Sequence, residues 1–241
     1  MAGDPRARLK DAKKALYAEV ILDVAEAVFA DVGYDDAKMQ AVAKQGRTSL
    51  AKLYEVFPSK ADLYRALHRR RLEVLMRDIA AAVHGCDEEP LLQILRAHTA
   101  HIIFHMENKN YLRMHLRDRI AWSSPEGLRC EEQVKAWERG LRMMVTAIDL
   151  GVGEGTIVDE DAELLARSAM SLHQVALGLW VDRGMKQSVE QVSEAVQRQV
   201  LRLLCPADQF EGQERRLLHG RRALAQRAAR SRSETSDVAI S

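Results

Sequence analysis

Glycine, proline and cysteine are sparse in this chain, and each scarcity excludes something. Thirteen glycines and five prolines in 241 residues leave few breaks, which fits long helices better than many short strands and turns. The three cysteines, Cys86, Cys130 and Cys205, lie far apart and in no Cys-x-x-Cys pair. They read as buried thiols in a reducing compartment rather than as a disulfide framework. No apolar run of membrane-spanning length and no signal peptide is present, so a cytoplasmic protein with no membrane partner is expected. No excess of one charge exists either: 36 Lys and Arg face 35 Asp and Glu. Residues 1–70 hold 13 basic and 10 acidic side chains, a mild surplus. Also missing are a nucleophile beside a base, an acid pair at catalytic spacing and a cofactor loop. Gly151-Val-Gly-Glu-Gly155 has no strand before it and no Gly-Lys-Ser/Thr after it, so it reads as a helix stop. Neither an enzyme nor a cofactor is expected.

What is present is helical spacing of apolar residues almost throughout. The expected fold is all-α, with an N-terminal helix-turn-helix domain of about three helices and a larger helical domain. Residues 1–9, with Arg6 and Arg8, read as a polar arm that could touch DNA backbone or a minor groove, fraying being the commoner outcome for a terminus. A helix follows from about Lys10 to Val32, with Tyr17, Val20, Ile21, Val24, Ala25, Val28 and Val32 on one stripe, closed by Gly33.

The chain is organised around Asp36 to Lys60. Asp36 can cap a short helix carrying Met39, Val42 and Ala43, which Gly46 stops. Ser49 can cap a second, with Leu50, Leu53, Tyr54 and Phe57 buried. Two helices this short must pack on neighbours, and the pair fits a DNA-reading helix-turn-helix. Ser59 then caps a third helix, with Asp62 as its capping-box acid. Lys60 there is either a phosphate anchor at a helix N-terminus or a solvated lysine.

Ile21-Leu22, Phe29, Gly33-Tyr34, Val42-Ala43, Ser49, Leu53-Tyr54, Phe57 and Pro58-Ser59-Lys60 together resemble the N-terminal domain of TetR-family transcriptional regulators, over about residues 15–67. Where the family usually has Ala-Gly-Val before the capping serine, this chain has Gly46-Arg47-Thr48. Arg47 then takes a position that favours positive φ. The resemblance implies double-stranded DNA as a partner. It puts Gln40, Leu50 and Ala51 at base edges, and Lys52, Tyr54, Lys60, Lys38, Ser49 and Arg47 at phosphates. The ring of Tyr54 is expected in the domain core, its hydroxyl alone reaching DNA.

Beyond Ser59 a long helix runs to about Val83, with Leu63, Leu67, Val74, Leu75 and Ile79 inward and His68-Arg69-Arg70-Arg71 as a solvated basic face. Another runs from the Asp87–Pro90 start signal to about Asn108, with Leu91, Leu95, Ile102 and Met106 apolar. Helices are also expected at about Tyr111–Trp122, from Ser124 to about Gly151, at Asp159–Arg183, and from the Ser188/Gln191 capping box to Pro206. The last two have broad apolar faces that a second copy would cover as a four-helix bundle. The resemblance puts a homodimer interface there too.

The resemblance places a ligand pocket among the helices at 87–183. Candidate lining residues are His98, Ile102, His105, Trp122, Trp137, Leu141, Met144 and His173, which suit a medium-sized, mostly apolar effector. His98, His101 and His105 share one helix edge and are the candidates for a metal site, with His115, Cys130 or His173 as a fourth ligand. Pocket lining or a hydrogen-bond cluster is preferred to metal.

The expected organisation is thus 1–60 for DNA binding, 61–206 for ligand binding and dimerisation, and 207–241 as a basic, mobile tail bearing Arg215, Arg216, Arg221, Arg222, Arg227, Arg230 and Arg232. The expected function is a ligand-responsive dimeric repressor released from a palindromic operator. The alternatives are a metal-responsive regulator or helical metalloprotein built on the histidine edge, and a helical interaction module without DNA function.

Overall fold

The computed structural model describes residues 4–86 and 88–219, and it is helical as the spacing predicts. Among the described residues there are ten α-helices, one π-helical turn (Arg215–His219) and no strand. The helices are α1 (Pro5–Asp36), α2 (Met39–Gln45), α3 (Leu50–Val56), α4 (Lys60–Val83), α5 (Pro90–Glu107), α6 (Lys109–Arg117), α7 (Glu131–Gly153), α8 (Ala162–Asp182), α9 (Val189–Leu204) and α10 (Phe210–Glu214). The chain packs as two compact units, Met1–Asp78 with Ile103–Gly140, and Ile79–Ile102 with Leu141–Ser241.

In the first unit α1 starts earlier than the hydrophobic pattern suggests. Asp4 accepts a hydrogen bond from the Arg6 amide at 3.0 Å, and Pro5 fills the first helical position. Asp-Pro is a start signal in its own right, so Arg6 and Arg8 stand on helix rather than on a frayed arm. The buried stripe also differs from the one expected. Ile21, Leu22, Ala25, Val28 and Phe29 are buried, while Val20 and Val32 are 50% and 44% exposed. Gly33 breaks α1 with φ 80 and ψ 170. A Cβ there would also lie 3.2 Å from Asp118 Oδ1, so glycine is needed for both conformation and closeness.

Asp118 lies just past α6 and finishes this broken end. It accepts from the Tyr34 amide at 3.1 Å and from the Tyr64 hydroxyl at 3.2 Å. Arg117 donates to the Ala30 carbonyl at 3.2 Å, and Arg129 makes a bidentate pair with Asp35 at 3.1 and 2.7 Å. Burial, then the Asp118 carboxylate, push the Tyr64 phenol well above its ordinary value.

The basic run of α4 is not a solvated face. His68 is buried, and its Nδ1 lies 2.9 Å from the Tyr111 hydroxyl. Arg71 donates to Glu26 at 2.6 and 3.0 Å and to Asn108 at 2.6 Å. Arg70 pairs with Glu19 and Asp23, each at 2.9 Å. Only Arg69 is exposed. The cations of the run face the acids of α1, so they join helices; sequence spacing could not show the partner. Val74 is only half-buried, whereas Leu63, Tyr64, Leu67 and Leu75 are core.

Ser124 does not start a helix. It accepts from the Glu126 amide at 3.1 Å in a local turn, and α7 begins at Glu131, where Glu131 and Glu132 give the acidic first turn that favours a helix start. Trp122 is buried in the preceding loop, beyond the end of α6, and its carbonyl accepts from Trp137 Nε1 at 3.0 Å.

In the second unit α8 and α9 pack together as a hairpin. Trp180 Nε1 donates to Gln187 O across their loop at 3.0 Å, and Val158 N donates to Leu204 O at the far end at 2.8 Å. Two such ties at opposite ends make the helices antiparallel. The Ser188/Gln191 capping box forms as expected, with Val192, Val196, Val200 and Leu204 buried. Gly151 lets Ile157 fold back, since a Cβ there would lie 2.5 Å from Ile157 Cδ1; this is the helix stop expected of the glycine-rich stretch. Asp87, in the expected start signal of α5, and residues 220–241 of the tail lie outside the described residues. The described part of the tail packs onto the second unit. Leu217 and Leu218 are buried, and Glu214 pairs with Arg198 at 2.6 Å. Cys86 and Cys205 are buried and Cys130 is half-buried, all as free thiols. Burial pushes Cys130 and Cys205 up to about 11.

Candidate nucleic-acid interface

The two short helices at the centre of the first unit owe their shape to five residues. Val42 and Ala43 of α2, Leu53 of α3 and Phe57 at its C-terminal cap are buried with Ile21 of α1. Gly46 ends α2 where a Cβ would lie 3.0 Å from Ile21 Cδ1, so α1 supports the turn closely. Asp36 does not cap α2. Lys38 holds that position with no side-chain hydrogen bond, because the break at Gly33 carries the chain one turn further before α2 begins. Ser49 caps α3 as expected, accepting from the Lys52 amide at 3.2 Å. Arg47 adopts φ 49, the left-handed conformation predicted where the resembled family has glycine.

Burial inside clears the outside. Lys38, Gln40, Arg47, Ser49, Ala51, Lys52 and Tyr54 are all exposed, and Leu50 is half-exposed. Tyr54 corrects an expectation: its ring is 41% exposed rather than packed in the core, because Leu53 and Phe57 already fill the inner face of so short a helix. Lys60 is not simply a solvated lysine. Its ammonium donates to Tyr34 O at 2.7 Å and Asp35 O at 3.0 Å, and lies 4.6 Å from the Tyr34 ring centre. It latches the end of α1 to the start of α4. One of its three N–H groups is then left for another acceptor.

Two participants carry no signal in the pattern. Tyr17, counted in the stripe of α1, bonds Thr48 in the turn, hydroxyl to hydroxyl, at 2.8 Å. The Lys52 ammonium sits 4.7 Å from its ring centre, so α1 also steadies the exposed helix through a cation–π contact. Asp118 is the other, and only its place 84 residues from Tyr34 hid it.

The effector candidates fall in different units and are described by unit. In the first, His105 and Trp122 are buried with ring centres 4.8 Å apart, and Trp137 is tied to Trp122. His115 Nδ1 lies 3.0 Å from Tyr111 O, so that nitrogen carries a proton and donates. In the second unit, buried His98 and His173 face each other, Nδ1 to Nδ1, at 2.9 Å. One must donate and the other accept, which requires at least one of the two to be neutral. Burial pushes His98 down to about 4. His101 packs against His173 with ring centres 4.2 Å apart. Ile102 is buried, and Leu141 and Met144 are half-buried. Among the described residues no group of three or more His, Cys, Asp or Glu is arranged to hold a metal ion, so the histidine edge is a hydrogen-bonded and stacked cluster and the metal alternative is not favoured.

A short helix pair braced on a third helix, with its outer face exposed, is a helix-turn-helix, and it here precedes an all-helical second unit. Residues 21–67 match the sequence model described as bacterial regulatory proteins, tetR family. Solved structures of that fold cover most of the chain. The ketosteroid transcriptional regulator of Mycobacterium tuberculosis is 20% identical with a TM-score of 0.67, over 78% of this chain and 95% of its own. A TetR-like transcriptional regulator from Rhodococcus sp. RHA1 is also 20% identical, with a TM-score of 0.63 over 78% and 95%. The transcriptional regulator FadR from Bacillus subtilis, in complex with stearoyl-CoA, is 17% identical with a TM-score of 0.63 over 76% and 96%. Comparison with curated protein sequences gave no match. Residues 21–67 thus carry the sequence pattern of the tetR family model, and the described chain has the fold of solved TetR-family transcriptional regulators.

Proposed function

We propose that this chain is a ligand-responsive repressor that binds a palindromic operator as a homodimer and leaves it when a mostly apolar small molecule binds. The observation that carries the reading is the outer face of α2 and α3, where Gln40, Ala51, Lys52 and Tyr54 are exposed on helices held rigidly from behind. Residues 1–60 would be the DNA-binding domain, 61–206 the ligand-binding and dimerisation domain, and 207–241 a basic extension. Gln40 suits adenine N6/N7, and Leu50 and Ala51 suit thymine methyls. Lys38, Arg47, Ser49, Lys52, Tyr54 and the remaining N–H of Lys60 would meet phosphates.

Dimerisation is supported by α8, whose Leu164, Val175 and Leu179 are 59%, 60% and 43% exposed, a face that a second copy would cover. For the effector, the proposed lining residues are His98, Ile102, Leu141, Met144 and His173 within the second unit, and His105, Trp122 and Trp137 within the first, each group taken by itself. A relative of this fold holding stearoyl-CoA is in keeping with a largely apolar guest. Ligand would bind best to a form whose two α3 helices are wrongly spaced for successive major grooves, and release follows by linkage. The device that passes the change on would be α4 together with the grip of Arg117, Asp118 and Arg129 on the end of α1. No membrane partner is proposed, and the place of action would be the cytoplasm.

The test is footprinting of the full chain at physiological salt on DNA upstream of its own gene, followed by selection from randomised duplexes. Protection of a near-palindrome, relieved by an acyl thioester or sterol-like ligand, is the expected result. Absence of any preferred site in both experiments would end the regulator reading.

A further inference from the structure

The first three turns of α1 have no visible reason to be there. Among residues 4–16, each side chain the structure describes is exposed, including Leu9 at 58% and Leu16 at 69%. A helical extension without packing is marginal in water. Its charges make matters worse. Arg6 stands in the first turn, where a cation meets the positive end of the helix dipole, and Lys13 and Lys14 follow on the same side. At about 100° per residue, Arg6, Lys13 and Lys14 all lie within roughly 60° of Tyr17 around the helix. Tyr17 is the residue that meets Thr48 of the turn at 2.8 Å and carries Lys52 of α3 over its ring. The cationic side of the extension is therefore continuous with the face that touches the helix-turn-helix, whereas Arg8 lies on the opposite side.

We propose that the start of α1 is a second DNA-contacting element, in which Arg6, Lys13 and Lys14 bind backbone phosphates flanking the groove entered by α3. This rests on the DNA-binding reading above. A polyanion relieves both the mutual repulsion of the cations and their conflict with the helix dipole. From Arg6 to Tyr17 the helix rises about 16 Å, enough to follow two or three consecutive phosphates of one strand. Such contacts add affinity and salt dependence but read no sequence. Leu9, Leu16 and Val20 border the cationic side, so an anionic membrane surface is the competing occupant; continuity with the turn through Tyr17 favours DNA.

The test compares the full chain with its Arg6→Ala/Lys13→Ala/Lys14→Ala variant, alanine being the strongest helix former. Circular dichroism checks that helix content is kept, and Lys13→Glu/Lys14→Glu serves as a second variant. Binding is measured against salt on a selected operator and on a random-sequence duplex of equal length. The slope of log K against log salt is expected to become shallower by about 2–3 per protomer, with affinity down at least about tenfold on both duplexes. Trimming the operator flanks should weaken the wild type and leave the triple variant unchanged. Equal slopes and affinities for wild type and both variants would overturn the proposal, and so would unchanged DNA binding with loss of adhesion to phosphatidylglycerol vesicles. Failure of the regulator reading looks different: the wild type would then show no preference for any sequence, while the difference in slope on random duplex would still judge the stripe.

Discussion

Arg47 occupies the turn between the two short helices with φ 49, a conformation that costs a side-chain-bearing L-residue about 1–2 kcal/mol. Its side chain is exposed and has no packing role that would explain keeping it. Arg47→Gly should therefore stabilise the free protein by about 0.5 kcal/mol, part of the relief being offset by the greater freedom of glycine in the unfolded chain. The same change should weaken operator binding and reduce the salt slope by about one per protomer if the guanidinium meets a phosphate. Urea denaturation and salt-dependent binding on one preparation check both halves. A variant that is stabler and binds equally well would remove Arg47 from the interface. Lys60 gives the contrasting case at this scale, because two of its donors are spent on Tyr34 and Asp35 carbonyls; removing it would loosen the end of α1 as well as any phosphate contact.

Among the helices, α8 carries the argument about assembly. Leu164, Val175 and Leu179 recur at helical spacing on a side left exposed by α9. Val175→Arg places a charge in the middle of that side, and in the proposed dimer two-fold symmetry would place it there twice. The dimer dissociation constant should rise by about two to three powers of ten, with the monomer still folded, since burying an unpaired charge costs several kcal/mol. Sedimentation at micromolar concentration would show it, and an unchanged dimer would move the interface elsewhere. Several helix starts and stops were legible from local signals. The Ser49 cap, the Ser188/Gln191 box, the stop at Gly46 and the strain at Arg47 all follow from residues a few positions apart. Where the partner came from another helix, reading failed. His68, Arg70 and Arg71 look like a solvated run until Glu26, Glu19 and Tyr111 are brought beside them, and Tyr54 looks like core until Leu53 and Phe57 have filled it. Asp4-Pro5 was local and still missed, because a polar segment without periodicity draws attention to fraying rather than to its cap.

For the whole molecule, the buried imidazoles tie stability to pH. Burial lowers His98 to about 4, and it lowers His68 and His115 in the same direction, with His115 adding to the effect on His68. Above the ordinary histidine value of about 6.5 these rings are neutral in both folded and unfolded chains and have no influence on the balance. Below it the unfolded chain takes up protons that the folded chain refuses, so stability falls as the pH drops, for His98 until about pH 4. His98 alone should bring the loss toward one proton, or about 1.4 kcal/mol per pH unit, and His68 and His115 add to it in the same direction. The urea midpoint should be flat from pH 8 to 7 and then fall steeply toward pH 5. His98→Gln should take about one proton out of that slope, since the amide can still hydrogen-bond His173 but cannot titrate. A midpoint constant down to pH 5 would mean that these rings are hydrated in solution, and that neither histidine cluster is the dry interior an apolar effector would require.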